Sequence, residues 1–148
     1  MNPASKALLD TTIKEWAKFT AERDKMQAAA KEVANTARHL IHENLSYFKT
    51  QGINVECDSQ ESMKVLGMAI GAEPVVEATF PNVKASVVLK CGEAARSILI
   101  NPNMTISAGG VAITFDQLRK AIPDPFSTNA ADFVRDAFLY VARLGTKP

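Results

Sequence analysis

The chain has 148 residues, 47% of them hydrophobic and 22% charged, with a formal net charge of +1. These values suit one globular domain, residues 1–148, able to bury most of its unfolded surface without a metal or disulfide staple. A near-neutral balance gives no electrostatic reason to expect nucleic acid or an anionic membrane as a partner. No stretch approaches the roughly 18 apolar residues of a membrane span. The start Met-Asn-Pro-Ala-Ser-Lys lacks the order of a secretory signal, so the expected location is cytoplasmic. The two cysteines, Cys57 and Cys91, lack metal-ligand spacing and read as free, partly buried strand residues.

Residues 1–52 read as one long helix. From Pro3 to Gln51 there is neither glycine nor proline. Asn2 can cap the start with Pro3 at the first helical position, and Gly52 supplies the stop. Phe19, Met26, Val33, Leu40 and Tyr47 recur every seventh residue, with Ala30 and Ala37 on the same face and Ile41, Leu45 and Phe48 widening it. Leu9, Ile13 and Trp16 read as the upstream continuation of this stripe.

Such a helix would be about 70 Å long, whereas a domain of this size is roughly 40 Å across. The helix therefore either bends, around Thr20 to Lys25 or near Asn35-Thr36, or projects and offers Leu9, Ile13, Trp16 and Phe19 to another chain.

Between residues 53 and 114 the period falls to two. Ile53, Val55 and Cys57 alternate with polar residues. Met63 to Ile70 fits a strand better than a short helix, and Val75 to Phe80 follows Pro74 as a separate strand. Val83 to Lys90 alternates most regularly, and Ala95 to Ile100 follows. Ala108-Gly109-Gly110 joins the last two strands as a hairpin. The connections are too short for crossover helices. The fold class is therefore α+β, with the long helix packed on an antiparallel β-meander of about five to seven strands. Residues 115–148 close it with a short helix, capped by Thr114 with Gln117, and a longer one. The latter starts at Thr128 or Asn129, places Phe133, Ala137, Tyr140, Val141 and Leu144 on one side, and stops at Gly145.

Chemistry is sparse. His39 and His42, three apart on a helix, can share a face and hold a metal, with Glu32 within reach, but two histidines specify a site only loosely. They are the chain's only histidines; with Tyr47 they are the candidate ligand-binding residues. No metal, cofactor or catalytic residue is assigned. There is no Gly-x-Ser-x-Gly elbow and no phosphate loop. Glu56, Asp58, Glu61, Glu73 and Glu77 read as a solvated sheet face, and Lys84, Lys90 and Arg96 as a small basic patch. The leading expectation is a non-enzymatic protein-binding or oligomerisation module, of regulator, chaperone or inhibitor type, whose partner is another protein or a second copy bound through the N-terminal helix. The alternative is a small-ligand or enzymatic domain with a cavity between sheet and helix.

Overall fold

The computed structural model describes residues 2–126 and 128–145. Helix α1 runs unbroken over Pro3–Thr50, 48 residues. Asn2 caps it as expected: its side-chain oxygen accepts the amide of Ser5 at 2.8 Å. Neither polar stretch interrupts it, because nothing in Thr20 to Lys25 or at Asn35-Thr36 removes a backbone donor or admits a left-handed residue.

Seven strands follow: β1 Val55–Ser59, β2 Ser62–Val65, β3 Met68–Thr79, β4 Asn82–Cys91, β5 Ala94–Ile100, β6 Thr105–Ala108 and β7 Val111–Thr114. They pair in chain order, every pair antiparallel. Helix α2, Phe115–Lys120, starts with the predicted reciprocal cap between Thr114 and Gln117. Helix α3 spans Asn129–Gly145. Thr128 caps it by accepting the amide of Ala131 at 3.0 Å. Gly145 is its last helical residue rather than the stop beyond it.

Two expected boundaries move. Residues 63–70 are two strands joined by Leu66-Gly67, both with positive φ (52° and 80°), a backbone that matches the tight hairpin turn. Leu66 has a Cβ and is exposed there. Leu66→Asn is expected to raise unfolding stability by about 0.5–1 kcal/mol, by relieving part of the left-handed cost of a Cβ-bearing residue. Urea denaturation measures it. The second change is at Pro74, which does not start a strand but lies inside β3, opposite Val87 of β4. Strand β2 pairs with β3 only as far as Ile70, so β3 has an unpaired edge from Gly71 onward, where a missing N–H is tolerated.

The helices share one face of the sheet. Val87, Leu89, Cys91, Ile98, Ile100 and Ile106 point inward and are buried. Met26, Ala30, Val33, Ala37, Leu40 and Leu45 meet them from α1, and Ala130, Phe133, Val134, Ala137, Phe138 and Val141 from α3. Tyr140 and Leu144 of the predicted α3 stripe stay exposed. Helix α1 rides along β3 in the opposite sense. Phe19 packs edge-on against Phe80 (centroids 5.4 Å apart), Asp24 to Lys31 flank Pro74 and Val76, and Arg38 borders Ile70 to Glu73. The lengths match: Phe19 to Arg38 rises about 28 Å along a helix, and Phe80 to Gly71 spans about 30 Å along a strand.

Candidate functional site

Beyond that match, the first sixteen residues of α1 bury no side chain among the described residues. Pro3 to Lys18 extend about 24 Å beyond the Phe19–Phe80 contact, and the first buried residue of the helix is Met26. Leu9, Ile13 and Trp16 are 50%, 61% and 58% exposed. Their direction corrects the expectation that they prolong the core stripe. At about 100° per residue, they lie roughly 100° around the helix from the line of Met26, Ala30, Val33 and Ala37. They form a second apolar face, turned sideways from the sheet. Phe19 does not share it: it is half-buried on the core-facing line, held by Phe80. Leu8, also exposed, falls on that line too.

The same side of α1 continues into an open groove of about 620 Å³ lined by Asp24, Gln27, Ala28, Lys31, Pro74 and Val76. The unpaired β3 edge borders it. Pro74 withholds a donor from that edge and Glu73 and Glu77 place charge on it, the devices by which sheets resist strand addition. The helix face carries no such protection.

The histidines sit elsewhere and are separately engaged. His42 Nε2 donates to the Cys57 carbonyl at 2.6 Å, which pins α1 to β1. His39 Nδ1 lies 3.2 Å from the Gln60 amide in the β1–β2 turn. Glu32 is held by Arg119 of α2, Nε to Oε1 at 2.5 Å and Nη2 to Oε2 at 3.0 Å. The three therefore do not converge, and no group of three or more His, Cys, Asp or Glu among the described residues could hold a metal. His42→Ala is expected to cost about 1 kcal/mol, the worth of one neutral hydrogen bond. Added zinc is expected to leave the melting temperature of the wild type unchanged; differential scanning fluorimetry reads both.

Tyr47 is exposed beside Phe48 and borders a cavity of about 400 Å³ with Asn44, Phe126, Arg135 and Leu139. This cavity lies between α1 and α3, not between sheet and helix. Sequence reading missed it because Phe126 and Leu139 are distant in the chain. The predicted carboxylate face is solvated and countered: Glu73 pairs with Lys90 at 3.0 Å, and Glu56 and Glu77 sit opposite Lys64 and Lys84. The predicted basic patch is divided. Lys84 and Lys90 lie on the outer face, whereas Arg96, opposite Leu89, lies on the inner one with its guanidinium 4.4 Å from the Tyr140 ring. Cys57 and Cys91 are free and buried, and desolvation holds the Cys91 thiol above its ordinary pKa, the opposite of an activated nucleophile. No described helix is long and apolar enough to cross a membrane. Set against family models, curated proteins and solved structures, the chain has no match.

Proposed function

We propose that the protein is a non-enzymatic protein-binding module that presents the N-terminal half of α1 to a partner. One observation supports this above the others: Leu9, Ile13 and Trp16 line one side of a helix end that overhangs its own sheet. Scattered exposed apolar residues are ordinary, but three in a helical row with a tryptophan resemble the anchors of helix-mediated recognition. Leu9→Glu/Ile13→Glu/Trp16→Glu tests the reading. The variant is expected to keep the wild-type circular dichroism and melting temperature while losing every association the wild type makes, in light scattering and in affinity capture. A wild type that associates with nothing, or associations that survive the triple change, would overturn it.

A second reading draws on the apolar cavity beside Tyr47 and Phe48, whose size suits a small ring-containing molecule. It predicts that apolar aromatic compounds raise the melting temperature and that Leu139→Trp abolishes the rise. No rise in the wild type would count against it.

A further inference from the structure

We infer that the occupant of the Leu9–Ile13–Trp16 face is the same face of a second copy, running antiparallel. This rests on the reading of α1 as a docking element and names its partner. The face is self-complementary in one direction only, and charge decides which. Lys6 and Asp24 are both exposed and stand 18 positions apart in the sequence. That separation is about five whole helical turns, so both flank the apolar row on the same side.

If Ile13 of one copy is set against Trp16 of the other, the antiparallel arrangement brings Leu9 onto Thr20 and Lys6 level with Arg23 of the second copy. Arg23 flanks the row on its far side, so the neighbour on Lys6's own side of the seam is Asp24, twice by symmetry. A parallel two-fold arrangement would place Lys6 of the two copies on opposite sides of the seam, 18 positions along the helix from either Asp24, so the opposite charges would not meet. Asp24 already accepts from its neighbour Arg23 at 3.3 Å, but that pair is exposed and leaves the carboxylate accessible. The overlap from Lys6 to Asp24 is about 27 Å. It uses three large apolar residues per copy, which places it among small interfaces, the class under about 1,200 Å². The dimer is therefore reversible and builds with concentration.

The test uses the full chain. Light scattering after size exclusion is expected to show mass rising towards the dimer with concentration, accompanied by a blue shift of the emission of the single Trp16. Trp16→Glu is expected to stay monomeric with unchanged circular dichroism. Direction is read by cross-linking with a short bismaleimide. An equal mixture of Lys6→Cys and Asp24→Cys chains should give covalent dimers. Each variant alone should give none, and neither should the wild type, whose own cysteines are buried. Cross-linking of Lys6→Cys alone would overturn the antiparallel arrangement. A strict monomer at all concentrations would overturn the second copy as occupant. If that monomer still captured another protein through Trp16, the docking role would stand; if it captured nothing, both would fall.

Discussion

Phe138→Ala is expected to lower the free energy of unfolding by about 3–5 kcal/mol, the range for deleting a buried aromatic ring. Phe138 is among the largest side chains wholly enclosed by the protein. It lies on α3, which packs against β4, β5 and α1 together, so no single element can collapse into the space the ring leaves. Against a typical total of about 5–15 kcal/mol, such a loss brings the fold near its limit, and guanidinium denaturation followed by far-ultraviolet circular dichroism would register it. Trp16→Ala removes an even larger side chain, yet its expected cost to folding is within about 0.5 kcal/mol, as for other exposed positions. A midpoint for Trp16→Ala displaced as far as that of Phe138→Ala would mean that the end of α1 is packed within its own chain.

Deletion of residues 1–24 is expected to abolish the proposed self-association completely while leaving the body folded. Every buried residue of α1 lies at or beyond Met26. The deletion takes Phe19 away from Phe80, an edge-on aromatic pair worth about 0.5–1.5 kcal/mol beyond its area. The truncated chain should melt cooperatively only a few degrees below the full chain and run as a monomer at every concentration. A truncated chain that fails to fold would show that the overhang supports the core. One that still dimerises would move the interface to the sheet or the α1–α3 cleft.

Much of this architecture was legible in the residues. The cap at Asn2, the stop before Gly52, the Thr114–Gln117 box and the alternation of Val83 to Lys90 each depend on local chemistry, and each appears at the residues that carry its signal. The β2–β3 turn was not legible, because leucine carries no turn signal and its left-handed backbone at Leu66 is imposed by pairing Met63 with Ile70. Pro74 misled for a related reason: it ends a strand only where both edges are paired, and the early end of β2 frees one of them. Arg96 belongs to the inner face by the two-residue period it shares with Ile98 and Ile100, a signal that was present in β5 itself and that its register with Leu89 confirms. For the candidate site, exposure of Leu9, Ile13 and Trp16 followed from comparing helix length with domain size. Their sideways direction was also implicit in the residue count. The engagement of His42 was not, since its partner is a backbone carbonyl on a later strand.

Anchor and tip of α1 belong to one continuous rod, so the azimuth of the tip is set by counting residues. One alanine inserted between Trp16 and Phe19 would leave the core packing in place and swing the Leu9–Ile13–Trp16 row by about 100°, whereas seven would return it to within about 20° of its starting phase. The fold thus behaves as a keyed shaft: under the proposed docking role, rotation alone would mistune or restore recognition, with Leu9, Ile13 and Trp16 themselves unaltered.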